Sequence, residues 1–260
     1  MLIDAHAHLD KYTEVDLTPV LGEIEQLGIF TVSVSMDLPS WQRNLEIAKH
    51  TPLVAPSFGI HPWNAPAYAG RLDELAEPTR QTAMIGEIGL DYDFVSDDAQ
   101  YPAQRAVLEF FLATAREQNK VVNLHTKGAE EDVLRLLEKH RVERAIIHWY
   151  SGPPEIFRKL ADRGCYFTVG VEVRRSEHIR QLAREIPAAQ LLTETDNPGG
   201  QKWLEGYDGM PRLILDVVVA LADLRHSSPV PLVETVQANF LRLLGDDPRL
   251  AAFRTALGPS

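Results

Sequence analysis

Eight short apolar or β-branched runs, separated by segments of helical periodicity, predict an α/β protein of the TIM-type (β/α)8 barrel class. Eight such units with no second domain favour the closed barrel over an open doubly wound sheet. The runs are apolar throughout rather than alternating, as parallel strands buried on both faces require. No low-complexity stretch, linker or charge block divides the 260 residues. Residues 1–260 are therefore expected to form one domain, a size that barrels commonly reach.

The predicted strands cover residues 1–5, 30–34, 53–58, 84–88, 121–124, 144–147, 166–169 and 191–193. Between them, apolar residues recur at helical spacing over 17–27, 41–50, 103–118, 130–140, 154–163 and 177–185, and two more helices follow the last strand at 210–224 and 232–244. Asp16 and Ser40 are placed to cap first turns, Gly28 and Gly164 follow helix ends, and Pro19, Pro153 and Pro154 fall near starts.

Composition narrows the class. An apolar fraction of 45% is that of a globular protein, and the chain opens Leu2-Ile3-Asp4 rather than with a basic segment and a long apolar run. The single cysteine, Cys165, lies in an apolar run and excludes disulfides within the chain. These features point to the cytoplasm, with no membrane association and no stable protein partner inferred. The formal net charge of −11 excludes a broad basic face for gripping nucleic acid. It leaves room for weak, local contact with a phosphate ester, because divalent ions would reverse the charge where the ester binds.

In a barrel the loops after the strands open at one end, where active sites are built. His6, His8, Glu87, His125, His148 and Asp196 each sit at or just past the end of a predicted strand. His6 and His8 are two apart on a strand, so their side chains share a face and can grip one cation. Glu87 can bridge two cations through its two oxygens, with Gly86 and Gly89 allowing close backbone approach. His125 and His148 end the runs Val-Val-Asn-Leu-His and Ala-Ile-Ile-His. Asp196 is placed to bind the first metal and to accept a proton from a water on it; Glu194 is the alternative carboxylate.

His61, after the third strand, can hydrogen-bond a substrate phosphate or leaving group, or serve structure alone. His50, His140, His178 and His226 lie in or beside helices and read as surface residues. Imidazole and carboxylate donors without thiolates suit one or two divalent ions, Mg, Mn, Zn, Co or Ni. Such ions supply hydroxide near neutral pH, which makes hydrolysis the expected chemistry.

The chain resembles the TatD-like metal-dependent hydrolases of the wider amidohydrolase group. The resemblance runs through Asp4-Ala-His-Ala-His-Leu-Asp10, Gly59-Ile-His-Pro62, Gly86-Glu-Ile-Gly-Leu-Asp-Tyr92, Gln104-Arg105, Leu124-His125, His148-Trp-Tyr-Ser-Gly152 and Glu194-Thr-Asp-Asn-Pro198. It implies His6, His8, Glu87 and Asp196 around one metal, and Glu87, His125 and His148 around the other. Asp196, Glu87 and His61 would be the catalytic groups, His61 assisting at the substrate phosphate. It further implies a deoxyribonuclease, commonly a 3′ to 5′ exonuclease, with DNA as the substrate.

Three features are this chain's own. Lys127 stands where the family usually has arginine, and a lysine offers a point charge rather than a bidentate fork. Trp149 and Tyr150 replace the usual x-Phe after the histidine, and a long loop, Asn197 to Pro211, follows Asp196. Lys127 and Lys202 are candidate phosphate contacts; Trp149, Tyr150, Trp203 and Tyr207 are candidates to stack bases or to close the barrel mouth. Two other functions fit the sequence: the same site acting on a small lactone, amide or phosphoester, and a metal-binding partner protein without turnover.

Overall fold

The computed structural model describes residues 1–258. The chain alternates strand and helix from its start: β1 (Leu2–Ala7), α1 (Glu14–Leu27), β2 (Ile29–Val34), α2 (Leu38–Ile47), β3 (Val54–Ser57), α3 (Ala65–Tyr68), α4 (Asp73–Gln81) and β4 (Met84–Gly89). It continues with α5 (Tyr101–Gln118), β5 (Val121–His125), α6 (Glu130–His140), β6 (Ala145–Ile147), α7 (Pro154–Asp162), β7 (Tyr166–Val169), α8 (Glu177–Glu185) and β8 (Leu191–Thr193). Last come α9 (Gly199–Glu205), α10 (Leu213–Leu224), α11 (Pro229–Leu244) and α12 (Ala251–Leu257). All eight predicted strands form, within two residues of the expected ends. Every residue of β2, β4 and β5 is buried, as parallel strands covered on both faces require.

The described residues gather into two compact units, one of residues 1–33, 43–55 and 167–258, the other of Val34–Gln42 and Pro56–Tyr166. In the first, β1 pairs in parallel with β2, and β7 with β8. Backbone bonds from Asp196 to His6 and from His8 to Asn197 stitch the segment after β8 to the end of β1. Leu17, Val20 and Ile24 of α1 pack with Ala7, Leu9, Tyr12, Ile47 and Val54 into one apolar cluster. In the second unit β5 lies between β4 and β6, all parallel, and Phe58 bridges to Ile85 on the far side of β4. No helix of the described residues is long and apolar enough to cross a membrane.

Some local expectations are corrected. Thr13, not Asp16, caps α1 by accepting from the Asp16 N–H, so the helix starts earlier than its apolar stripe and Pro19 lies inside it. Asp37, not Ser40, caps α2; Ser40 supplies the return bond to the Met36 and Asp37 N–H groups, completing a capping box. Helices α3, α4, α9 and α12 lie outside the predicted helices, because at four to nine residues each is too short to display a helical period. His140 is half-buried with Nε2 3.6 Å from Glu109, whereas His50, His178 and His226 are exposed as expected.

Two buried polar groups give tests of packing. Lys120 is 1% exposed. Its Nζ donates to the carbonyls of Thr79 and Arg80 in the last turn of α4, where a cation also suits the helix dipole. Lys120→Met keeps the aliphatic stem and strips these bonds, so it should destabilise the protein by about 1–3 kcal/mol in urea unfolding. An unchanged midpoint would show that α4 needs no such closure. Cys165 is buried, and burial pushes its thiol up to about 12. A native thiol assay at pH 8 should therefore show negligible modification until denaturant is added.

Candidate metal centre

Donor groups are carried at strand ends in both units. In the first, His6 is the fifth residue of β1, His8 follows that strand, and Asp196 follows β8. Asp196 Oδ1 lies 3.6 Å from His6 Nε2 and 3.4 Å from His8 Nε2. Asp196 adopts the left-handed backbone region (φ 51°), which Asp tolerates better than most residues.

Beneath this set, the buried Asp4 carboxylate accepts from the Thr195 N–H at 2.9 Å and the Thr195 hydroxyl at 2.6 Å, fixing the segment that presents Asp196. Burial pushes the Asp4 carboxyl up to about 7 against these bonds. Glu194 is fully buried below Gly170, and its carboxylate comes within 4.8 Å of a His6 donor atom.

The second unit concentrates its donors on one oxygen. Glu87, 1% exposed on β4, places Oε1 3.0 Å from His125 Nδ1, 3.3 Å from His148 Nε2 and 3.6 Å from His61 Nε2. Glycines make this crowding possible. A Cβ on Gly59 would lie 2.3 Å from the Glu87 carbonyl, and one on Gly89, at φ 154°, would lie 2.0 Å from the His125 carbonyl.

Strand register contributes in both units. Pairing slips by one residue between Asp4 and Ala7 of β1 and between Ile85 and Ile88 of β4. These bulges fall where His6 and Glu87 sit, and a bulge re-aims a side chain that regular alternation would point elsewhere.

The donor sets fit divalent ions. Two ligands about 2.0–2.1 Å from one tetrahedral ion stand ~3.3–3.4 Å apart. The separations from Asp196 to His6 and to His8, and between Glu87 and His148, are close to that value. His125 adds a support that tunes a ligand. Both ring nitrogens face carboxylates, Nδ1 3.0 Å from Glu87 Oε1 and Nε2 2.9 Å from Asp91 Oδ2; with a cation held at Nδ1, that atom would keep its lone pair and Nε2 would donate its proton to Asp91. Burial would raise the Asp91 carboxyl, but the His125 bond and charge, then the Phe94 N–H and the Trp63 indole, hold it at about 2.

His61 is differently poised. Its Nδ1 accepts from the Trp63 N–H at 3.2 Å, which puts the proton on Nε2 and makes that atom a donor rather than a metal ligand.

The remaining candidates take packing positions. Trp149 and Tyr150 are buried; the Tyr150 hydroxyl donates to the Pro153 carbonyl and its ring packs on Phe157. Lys127 Nζ donates to the Trp149 carbonyl at 2.6 Å and the Ser151 hydroxyl at 2.8 Å. Lys202 pairs with Asp208, while Trp203 and Tyr207 are exposed. Asp91 and Trp63 were missed as site residues. Asp91 stands in the quoted Glu87 motif, and Gln104 of the next quoted motif bonds its backbone on both sides, which was the available signal.

The family model described as TatD related DNase matches residues 3–245, spanning both units. The metal-dependent hydrolase YcfH of Escherichia coli K12 is 29% identical over 270 residues, covering 97% of this chain and 99% of its own. YabD of Bacillus subtilis, also a metal-dependent hydrolase, is 30% identical over 76% of this chain and 80% of its own. Human deoxyribonuclease TATDN3 is 25% identical over 76% of this chain and 78% of its own. The crystal structure of YJJV, a TatD homologue from E. coli K12, superposes with a TM-score of 0.85 at 24% identity, covering 95% of this chain and 98% of that one. That likeness gives the fold, a (β/α)8 barrel. The chain therefore belongs to the TatD related DNase family and is a metal-dependent hydrolase.

Proposed function

We propose that the chain hydrolyses phosphodiester bonds in DNA, acting as a 3′ to 5′ exonuclease in the cytoplasm. The observation that carries this reading is the convergence of His61, His125 and His148 on one Glu87 oxygen in a chain of this family. His6, His8 and Asp196 in one unit, and Glu87, His125 and His148 in the other, would hold the divalent ions. These donors lie near the C-terminal ends of strands or just after them, where a barrel carries its active-site groups. Divalent ions held by such donors acidify water from a pKa of about 15.7 toward ~7 and offset charge on the phosphate. Asp196 accepts the proton of the attacking water, and the His61 Nε2–H donates to a phosphate oxygen or the leaving group. The net charge of −11 confines DNA contact to this neighbourhood.

The test is degradation of end-labelled single-stranded DNA by EDTA-stripped protein resupplied in turn with Mg, Mn, Co, Ni and Zn. Metal-restored release of mononucleotides from the 3′ end is expected; intact DNA with every metal overturns the reading. A second reading, hydrolysis of a small lactone or phosphoester, is favoured by the engagement of Lys127 with Trp149 and Ser151, which leaves few cations for a polyanion. Turnover of an ester and lactone panel by protein that spares DNA would select it.

A further inference from the structure

Beside the Glu87 cluster stand two large aromatic side chains that the metal chemistry does not use. Trp63 is 49% exposed and Phe94 57% exposed, and their ring centroids are 6.2 Å apart in an edge-to-face pair. Large apolar residues scattered singly on a surface need no explanation. These two are held in place by a buried group. Trp63 follows Pro62 in a 3-10 turn, and its indole N–H donates to Asp91 Oδ2 at 2.7 Å. Asp91 Oδ1 accepts from the Asp93 and Phe94 N–H groups at 3.1 and 2.8 Å, fixing the loop that carries Phe94.

The same Oδ2 holds His125. One carboxylate therefore positions both a candidate metal ligand and the two rings. The Trp63 ring also lies 4.6 Å, centroid to centroid, from His61, the group assigned to the substrate phosphate.

We infer that Trp63 and Phe94 form a stacking platform for the nucleobase attached to the phosphate that His61 addresses; this rests on the phosphodiester reading above. An aromatic face accepts any base, because every base has a π-face, and it requires the base to be unpaired. The platform thus selects single-stranded ends without selecting sequence. It also supplies affinity without cationic side chains, in keeping with the negative charge of the chain. Trp203 and Tyr207 are exposed too, but Tyr207 is held by Gln201 rather than by any group of the donor cluster, and Trp149 and Tyr150 are buried.

The experiment is calorimetric binding of dAMP and of 2-deoxyribose 5-phosphate to the full-length metal-loaded protein. Wild type, Phe94→Ala, Trp63→Phe and the double variant are compared. Phe94→Ala keeps the backbone N–H that Asp91 accepts, and Trp63→Phe keeps a ring while dropping the indole bond. Wild type should bind dAMP about tenfold more tightly than the sugar phosphate. That ratio should fall toward one in Phe94→Ala and in the double variant, and Trp63→Phe should retain most of it. A ratio near one in wild type, or a ratio unchanged in Phe94→Ala and the double variant, overturns the platform. Cleavage of single-stranded DNA by the same preparations reports on the reading beneath. Cleavage without base preference removes the platform alone; base preference without cleavage removes the nuclease and leaves the platform.

Discussion

Replacing Glu87 by Gln should lower metal-dependent hydrolysis by at least about 10³-fold while leaving a folded protein. The substitution keeps shape and volume in a site where the residue is 1% exposed. It changes what the imidazoles meet. Three ring nitrogens lie 3.0 to 3.6 Å from Glu87 Oε1. An amide offers one neutral oxygen, and its NH2 group has no lone pair for a cation.

Loss of this proposed ligand should also lower the amount of metal the protein binds. The measurement is elemental analysis of dialysed protein alongside the rate and a thermal melt. Metal content gives a readout that does not depend on choosing the right substrate. Wild-type rate and wild-type metal content in folded Glu87→Gln would remove Glu87 from the mechanism.

The strands and most of the donors were legible because both rest on short-range signals. A parallel strand buried on two faces must be apolar along its length, and the polar residue that ends it then stands out, as His125 does after Val121 to Leu124. What stayed hidden depends on contacts far apart in sequence. Nothing in Trp149-Tyr150 distinguishes a buried wall from an exposed stacking surface; Phe157 and the Pro153 carbonyl decide it. Trp63 and Phe94 are open because their neighbours leave them so. The bulges at His6 and Glu87 are equally invisible, since an extra residue in one strand has meaning only against its partner. Asp91 stands in the Gly86 to Tyr92 motif, but its role appears only when four N–H groups are seen to converge on it.

That convergence sets the second large effect. Asp91 Oδ1 accepts from the N–H groups of Asp93 and Phe94, and Oδ2 from Trp63 Nε1 and His125 Nε2. A carboxylate has about four lone-pair sites, and all are used. Asn has one carbonyl oxygen, so it can serve one pair of donors and must oppose the other with its own NH2. Turned toward His125, the NH2 group would favour the wrong tautomer, placing the proton on Nδ1 where a metal needs a lone pair. Turned toward the loop, it would leave two backbone N–H groups without their acceptor and loosen Phe94. Asp91→Asn should therefore lower metal affinity or activity by about 10- to 100-fold, the range found when a group supporting a histidine ligand is changed. Metal titration should show the loss with Glu87 and the histidines intact, and the His125 ring proton seen by NMR should move from Nε2 to Nδ1 or exchange faster with water. An unaltered ring-proton signal together with wild-type metal affinity would mean that His125 is oriented by its packing alone.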